Sequence, residues 1–165
     1  FFWNNLAEYQ KQRILTFLNP DLDPMGSAYH IIQSVTAIGS GGFFGKGFGQ
    51  GSQTQLKFLP VQESDFILSV IAEEFGFMGI SVVMIIFFLF IKTLLDIAFK
   101  LSDYFSSLVI VGITSILLSH IFINSAMTIG LLPVKGLPLP FISAGGSFLL
   151  SCFIMLSLVI NLSDN

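Results

Sequence analysis

The residue types with the most chemical potential are concentrated between Gly39 and Asp65, in a polar stretch rich in glycine. Lys46 and Lys57 supply positive charge in this stretch, and Glu63 and Asp65 supply carboxylates. Glycine adopts positive φ angles without steric cost, so a backbone of this kind can approach a ligand closely. The stretch ends where a long apolar segment begins. This placement predicts a site that binds or transforms a ligand beside that segment.

Composition indicates the class of protein. Hydrophobic residues form 53% of the chain, charged residues form only 10%, and the mean hydropathy is +0.84. Because soluble domains carry about 25% charged residues, the chain is predicted to be an all-α integral membrane protein. Its net charge of −3 gives no reason to expect nucleic acid as a partner. The single cysteine, Cys152, cannot form an intrachain disulfide.

Three apolar segments are long enough to cross a bilayer as helices. They occupy residues 65–91, 104–129 and 143–162. We therefore predict a polytopic helical bundle in which residues 92–103 and the tail, residues 163–165, lie on one side of the membrane.

The remaining segments are predicted to lie on the other side of the membrane as loops. Residues 130–142 contain three prolines, which cannot continue a helix, and they form a Pro-rich loop. Residues 4–64 form a large glycine-rich loop with short amphipathic helices. One of these helices is predicted near residues 5–19, and the other runs from Ser27 to Ile38.

The start of the chain suggests that more protein precedes it. Phe1, Phe2 and Trp3 stand there without an initiator Met and without the positive region of a signal peptide. We interpret residues 1–3 as the end of a preceding transmembrane helix, and we expect the chain to be the C-terminal part of a longer protein. Alone it is expected to be inactive, because so few helices offer few crevices for polar groups.

Two acidic residues in the first predicted span, Glu73 and Glu74, are too costly to face lipid. On a regular helix Glu73 lies within about 80° of Asp65, whereas Glu74 points nearly the opposite way. Glu73 is therefore the better candidate to share a site with Asp65. Small residues in the same span predict close packing against another helix. They are Ala72, Gly76 and Gly79.

A row of polar residues marks one face of the second predicted span. His120, Asn124 and Thr128 recur every four residues and so share a face that should point toward other helices instead of lipid. Such a row can form interhelical hydrogen bonds or a functional relay. We favour interhelical hydrogen bonds.

Three ordered motifs are similar to those of one known family. They read YHIIQSVTAIGSGGFFGKGFGQGSQTQLKFLP, SDFILSVIAEEFGFMGI and LLPVKGLPLPFISAGGS. On these motifs the chain resembles the SEDS family of bacterial cell-wall proteins over essentially its whole length. Its NPDLDPMG segment and the Gly-Lys-Gly in its loop resemble the rod-shape branch of that family more than the division branch.

The resemblance implies a multi-pass protein of the bacterial cytoplasmic membrane, of which this chain holds the end of the seventh helix through the tenth. It implies an enzyme that polymerises lipid II into glycan strands beside a class B penicillin-binding protein, with membrane lipid around it. The family's large loop, matching residues 4–64, is extracytoplasmic. A count of Lys and Arg favours the opposite orientation, and we follow the family.

The family's essential aspartate matches Asp65, within residues 63–66. The resemblance implies that Asp65 is the general base that takes a proton from a sugar hydroxyl as that hydroxyl attacks the anomeric carbon. Lys46, Lys57 or a divalent cation such as Mg²⁺ or Mn²⁺ would offset the charge of the departing diphosphate. The candidate substrate-binding residues are Lys46, Lys57, Gln53 and Glu73.

Asp65 also has a structural interpretation, since Asp is a favoured N-cap and stands where a helix is predicted to begin. Position alone favours the cap, the resemblance favours the base, and the two roles are compatible. Three positions depart from the family pattern. They are Glu63, Val61 and Ala144.

Two rival functions stay open at the level of the sequence. A flippase or transporter of lipid-linked precursors would use the polar faces of the spans instead of the loop. A non-catalytic scaffold would dock the penicillin-binding protein and other elongation factors in the membrane.

Overall fold

The computed structural model describes Lys11, Leu15, residues 27–51 and residues 65–163. Within these ranges the chain forms four helices and no strand, so the all-α class is confirmed. We number the helices in chain order as α1 (Ser27–Gly41), α2 (Ile67–Lys100), α3 (Tyr104–Thr128) and α4 (Gly146–Ser163).

Some sequence predictions fall outside the described residues. All but two residues of the predicted helix near residues 5–19 lie there, as do three charged or polar candidates, Gln53, Lys57 and Glu63. The second short helix is described as α1, and it continues to Gly41 instead of ending at Ile38.

Helices α2, α3 and α4 are each long and apolar enough to cross a membrane. Their bounds differ in detail from the prediction, most at the end of α2, which continues to Lys100 instead of stopping at residue 91. Leu94 and Ala98 are buried there, so the inward apolar face continues although charged residues share these turns. Only residues 101–103 connect α2 to α3.

Helix α3 begins with a side-chain cap. The Asp103 carboxylate accepts hydrogen bonds from the main-chain N–H of Phe105 at 3.4 Å and of Ser106 at 2.9 Å. It also accepts one from the Ser106 hydroxyl at 2.6 Å. These bonds, the hydroxyl of Ser106 foremost, hold the pKa of Asp103 below its ordinary value because they favour the ionised form.

Helix α2 is interrupted at Gly76, whose φ of 67° and ψ of −161° lie far from helical values. Only glycine adopts this combination readily, because any Cβ would collide with the backbone. We call residues 67–75 the first limb of α2 and residues 77–100 its second limb.

The second limb runs antiparallel to α3. The Ser107 hydroxyl donates to the carbonyl of Ala98 at 2.8 Å, close to the connecting turn. Further along, the Ser125 hydroxyl lies 4.0 Å from the sulfur of Met84. In the direction in which residue numbers increase along α3, those of the second limb therefore decrease.

The first limb runs the other way. The carbonyl of Asp65, just before the limb, accepts a hydrogen bond from Asn124 of α3. One turn later, Ser69 is connected to Thr128 through the hydroxyl of Ser34. Residue numbers here rise together in the two elements, so the first limb is parallel to α3.

The chain therefore doubles back at Gly76. The second limb alone rises roughly 36 Å, enough to cross a bilayer. The expectation of one continuous span from residue 65 to residue 91 is thus corrected. Both limbs are apolar, so hydropathy does not reveal the change of direction between them.

The core lies where the second limb packs against α3 and α4. Its buried members include Phe87, Ile91, Leu94, Ile110, Leu117, Ile121, Cys152 and Val159. Many large apolar side chains on the outer faces are exposed, as in helices that contact lipid or further helices.

Helix α3 ends in a Schellman-type turn that starts the Pro-rich loop. The N–H of Leu131 donates to the carbonyl of Ala126 at 2.8 Å, and the N–H of Gly130 donates to Met127 at 3.1 Å. Gly130 has a φ of 77°, the left-handed conformation that this turn requires. Residues 129–145 contain no helix, as the prolines of residues 130–142 predict.

Candidate active site

The glycine-rich loop after α1 replaces the helical hydrogen bonds that are lost at Gly76. In an unbroken helix, the N–H groups of Phe77 and Met78 would donate to the carbonyls four residues earlier. Here Phe77 donates to the carbonyl of Gly42 at 2.9 Å, and Met78 donates to that of Phe43 at 3.2 Å. The main chain of the loop thus caps the start of the second limb.

The carbonyls released at the end of the first limb bind the same loop. Lys46 N–H donates to the carbonyl of Glu73, and Gly47 N–H donates to the carbonyl of Glu74, each at 3.0 Å. Two helical hydrogen bonds are therefore replaced by four bonds to the loop. The limb ends keep their polar groups satisfied, as buried helix ends require.

Glycines make this docking sterically possible. A Cβ on Gly41 would overlap the carbonyl of Ala72, and a Cβ on Gly45 would overlap the carbonyl of Glu74. A Cβ on Gly76 would in turn overlap the main chain of Gly45. The close packing predicted for Ala72 and Gly76 is present, but their partner is the loop instead of another spanning helix.

Two of the predicted substrate-binding residues meet at the reversal. The Lys46 ammonium lies 2.9 Å from Oε1 of Glu73, whose side chain has no exposed surface. The Ser40 hydroxyl donates to the same oxygen at 3.5 Å. A buried charge needs such a partner, so the pair holds the loop against α2. The role of both residues in substrate binding stays a prediction.

Glu73 does not join Asp65, although the sequence made it the better candidate to do so. The two residues lie near opposite ends of the first limb, separated by roughly 12 Å of helical rise. Glu74 is also occupied by the loop, since its carboxylate accepts a hydrogen bond from Gly49 N–H at 3.2 Å. The carboxylates of this segment therefore form two separate sites.

Asp65 lies before the first limb and does not cap it. The N-cap position belongs to Phe66, without any side-chain cap hydrogen bond. The N-cap interpretation of Asp65 is therefore wrong, because the helix begins one residue later than predicted. The half-buried Asp65 instead places Oδ2 beside Gly136, where a Cβ would approach it to 3.4 Å.

The Asp65 carboxylate has no hydrogen-bond or ion-pair partner among the described residues. Its main chain, in contrast, is fixed. Asn124 Nδ2 donates to the carbonyl of Asp65 at 2.9 Å and to the carbonyl of Leu137 at 2.7 Å. One fully buried amide on α3 thus joins the start of α2 to the Pro-rich loop.

The predicted inward orientation of the polar row on α3 is confirmed. Asn124 and Thr128 are fully buried, and His120 is half-buried with Nδ1 3.3 Å from the carbonyl of Pro138. The Thr128 hydroxyl donates back to its own helix. His120 and Asn124 thus form hydrogen bonds from α3 to other segments of the chain, as the favoured interpretation predicts.

Ser34 is a connecting residue that the sequence analysis did not single out. Its buried hydroxyl donates to the carbonyl of Thr128 at 2.7 Å and accepts from Ser69 at 2.8 Å. Through these bonds α1 is tied to both α2 and α3. A serine inside a short predicted helix gives no pattern that would mark this role.

A divalent cation was one of the alternatives for offsetting the charge of the diphosphate. In the described parts of the chain, no three His, Cys, Asp or Glu side chains are grouped closely enough to hold a metal ion. The described residues therefore supply no ligand set from which a step through a cation can be derived.

The chain matches the family model FtsW/RodA/SpoVE, described as a cell cycle protein, over residues 2–165. It belongs to this family. Among its FtsW/RodA/SpoVE relatives, peptidoglycan glycosyltransferase MrdB of Escherichia coli (strain K12) is 46% identical over 145 residues, covering 88% of this chain and 39% of the relative. Stage V sporulation protein E of Bacillus subtilis (strain 168) is 40% identical over 157 residues, covering 95% of this chain and 43% of the relative.

A RodA protein, the peptidoglycan glycosyltransferase of Treponema pallidum (strain Nichols), is 40% identical over 158 residues, covering 96% of this chain and 36% of the relative. A solved chain described under "Structural coordination of polymerization and crosslinking by a peptidoglycan synthase complex" superimposes with a TM-score of 0.80 at 28% identity. It covers 98% of this chain, which spans 44% of that one. This FtsW/RodA/SpoVE chain thus spans less than half the length of the relatives it matches.

These findings confirm the resemblance to the SEDS family, whose members FtsW, RodA and SpoVE give the family model its name. They also confirm a multi-pass helical membrane protein, in agreement with the three helices able to cross a bilayer.

Proposed function

We propose that the protein carrying this chain is a peptidoglycan glycosyltransferase that joins lipid II into glycan strands. Two of the relatives are named peptidoglycan glycosyltransferases, and the solved neighbour belongs to a peptidoglycan synthase complex. Because the chain spans only 36–43% of MrdB, RodA and stage V sporulation protein E, the proposal concerns the whole protein that contains it.

The arrangement of Asp65 carries this proposal. Its main chain is held by the buried amide of Asn124, while its carboxylate oxygens stay uncommitted among the described residues. A general base needs this combination, since it must be fixed in position and still be able to accept a proton. Glu73 is less suited to act as the base, because its buried carboxylate already binds Lys46 and Ser40.

In the proposed reaction, Asp65 accepts the proton of a sugar hydroxyl as the hydroxyl oxygen attacks the anomeric carbon of a second lipid-linked sugar. A new glycosidic C–O bond forms, and the C–O bond to the diphosphate breaks. Undecaprenyl diphosphate leaves with the bonding electron pair. The proton taken up by Asp65 returns to solvent before the next cycle.

The departing diphosphate needs a counter-charge. Lys46 is paired with Glu73 at 2.9 Å, so its charge is largely offset within the protein. Lys57 and a divalent cation stay candidates for this role. Polymerisation measured with EDTA, and again after Mg²⁺ or Mn²⁺ is restored, tests the cation.

We also propose that the protein acts during cell elongation, in the bacterial cytoplasmic membrane, together with a class B penicillin-binding protein. Relatives named MrdB and RodA support elongation, whereas a relative named FtsW, from Trichlorobacter lovleyi, is 44% identical and supports division. Expression in cells depleted of either native enzyme separates the two assignments. Restored rod shape without restored division is the expected result.

Purified full-length protein with fluorescent lipid II tests the catalytic proposal. Glycan polymer that is digested by a muramidase is the expected product, and it is expected to increase when the penicillin-binding protein is added. Translocation of lipid II across vesicles without polymer would instead support the transporter. Neither activity, with binding to the penicillin-binding protein retained, would support the scaffold.

A further inference from the structure

We infer that Asn124 is a positioning residue for catalysis, which holds Asp65 in register with the Pro-rich loop. This inference rests on the proposed glycosyltransferase function and assigns a role to a residue outside the catalytic motif. Asn124 lies 59 residues from Asp65 in sequence, on α3, and its hydrogen bond goes to the main-chain carbonyl of Asp65, so it acts through the position of that residue.

The geometry assigns the orientation of the Asn124 amide. The same side-chain atom lies 2.9 Å from the carbonyl oxygen of Asp65 and 2.7 Å from that of Leu137. Two acceptors at these distances require a donor, so this atom is the NH₂ group, and each of its hydrogens serves one carbonyl. Among side chains of this size, only the Asn amide places two N–H donors on one nitrogen.

The other end of the amide is not satisfied. Oδ1 of Asn124 is buried and has no hydrogen-bond partner within the described residues. An unsatisfied buried acceptor destabilises a fold, but an apolar side chain at this position would leave the carbonyls of Asp65 and Leu137 without this donor. The hydrogen bonds of the Asn124 side chain are therefore the ones that join Asp65 to the Pro-rich loop.

His120 supports the same arrangement one helical turn earlier. Its Nδ1 lies 3.3 Å from the carbonyl of Pro138, and its ring stacks on Phe148 of α4 at a centroid distance of 4.6 Å. Asn124 and His120 thus bind consecutive carbonyls, those of Leu137 and Pro138. Proline has no N–H to pair within the loop, so contacts from α3 fix this segment.

The consequence appears at Gly136, directly before Leu137. Gly136 has a φ of 63° and lies so close to Oδ2 of Asp65 that a Cβ would approach that oxygen to 3.4 Å. The amide of Asn124 therefore fixes the position of Asp65 relative to α3. Through Leu137 it also fixes the loop segment at Gly136, which lies beside the Asp65 carboxylate. A misplacement of about 1 Å can cost on the order of 10²-fold in rate.

The test is a kinetic cycle in the full-length protein with its penicillin-binding partner, using fluorescent lipid II. Four proteins are compared: wild type, Asn124→Ala, Asp65→Asn and the double variant. Rates are expressed per folded protein, measured from the monodisperse fraction. Asn124→Ala is expected to lower kcat by about 10–100-fold with KM changed by less than about threefold.

Non-additivity distinguishes positioning from a general structural role. If Asn124 acts through Asp65, then Asn124→Ala is expected to change the residual rate of Asp65→Asn by less than about twofold. An equal loss in both backgrounds, or an unchanged kcat in the single variant, would overturn the inference. Ser119→Ala is the matched control, because that exposed hydroxyl donates to the carbonyl of Ser115 within α3.

A second variant and the wild-type activity separate failure of the inference from failure to fold and from failure of the proposed function. Should Asn124→Ala fail to fold, Asn124→Asp preserves the shape but replaces the donors by an acceptor, and it is expected to show the same loss of kcat. If wild type makes no polymer, the proposed function fails and the inference falls with it. Polymer from wild type with an additive Asn124→Ala effect would refute the inference alone.

Discussion

The ammonium of Lys46 lies 2.9 Å from the carboxylate of Glu73, and this ion pair sits where α2 reverses its direction. The Glu73 side chain is fully buried, whereas the Lys46 side chain keeps 30% of its surface exposed. One main-chain hydrogen bond also joins the same two residues, since Lys46 N–H donates to the Glu73 carbonyl at 3.0 Å. The pair therefore fastens the glycine-rich loop to the helix break.

Removing one member of this pair should destabilise the protein strongly. Lys46→Ala removes the cation that lies 2.9 Å from the buried Glu73 carboxylate, and loss of one member of a buried ion pair typically costs about 3–5 kcal/mol. The double variant Lys46→Met with Glu73→Gln removes both charges and should recover much of the loss. Thermal unfolding in detergent measures both, and a Lys46→Ala variant as stable as wild type would contradict the structural role of the pair.

Gly76 should tolerate no side chain. Gly76→Ala forces a Cβ into a backbone conformation open almost only to glycine and into the main chain of Gly45, so a loss of about 2 kcal/mol or more is expected. Gly112→Ala, in open space on α3, is the control and should be neutral or stabilising by up to about 1 kcal/mol. Equal melting temperatures for the two variants would argue against the reversal.

Much of the helical framework could be predicted because its signals are local. The apolar runs of α2, α3 and α4 are long, and the three prolines between α3 and α4 exclude a helix there. The spacing of His120, Asn124 and Thr128 also predicted which face of α3 points inward. These features depend on neighbours within a few residues, which the sequence displays directly.

The reversal at Gly76 could not be predicted in this way. Gly76 stands between apolar residues that suit a continuous helix, and its positive φ is stabilised by Gly42 and Phe43, which are far away in sequence. The end of α2 was missed for a related reason. Residues 92–103 were predicted to lie outside the span as a polar segment, whereas the buried Ala98 within them keeps the helix packed on α3.

The candidate site was predicted only in part. Asp65 was identified by resemblance, but the amide that holds it comes from Asn124, and only the tertiary fold brings the two together. Lys46 and Glu73 were both chosen as substrate-binding candidates for their charge. That they bind each other depends on how the loop docks, which their spacing in sequence does not report.

The orientation in the membrane can be tested with paired cysteines. The glycine-rich loop is expected to be extracytoplasmic and the turn between α2 and α3 cytoplasmic, so Gln50→Cys should react with an impermeant maleimide in whole cells. Ser102→Cys should react only after permeabilisation. Both positions are exposed, and the native Cys152 is buried, so background labelling should be low. The reverse pattern would invert the topology.

The 165-residue chain by itself should make no glycan. Its first limb and its three membrane-crossing helices leave large apolar faces exposed, and a site for two lipid-linked sugars needs further walls around its polar groups. The purified chain and the full-length protein can be compared on the same fluorescent lipid II. Polymer formed by the isolated chain would show that Asp65 and its surroundings suffice.

The most direct test of the account is Asp65→Asn in the full-length protein, assayed for polymer yield from lipid II and for thermal stability. Asn keeps the size of the side chain but removes the proton acceptor, so polymerisation should fall by roughly 10²-fold or more. Stability should not change, because the Asp65 carboxylate caps no helix, and Asp65→Ala should melt at the same temperature. Asp96→Asn, an exposed carboxylate near the other end of α2, should retain full activity. An Asp65→Asn protein that polymerises lipid II at the wild-type rate would contradict the assignment of Asp65 as the general base.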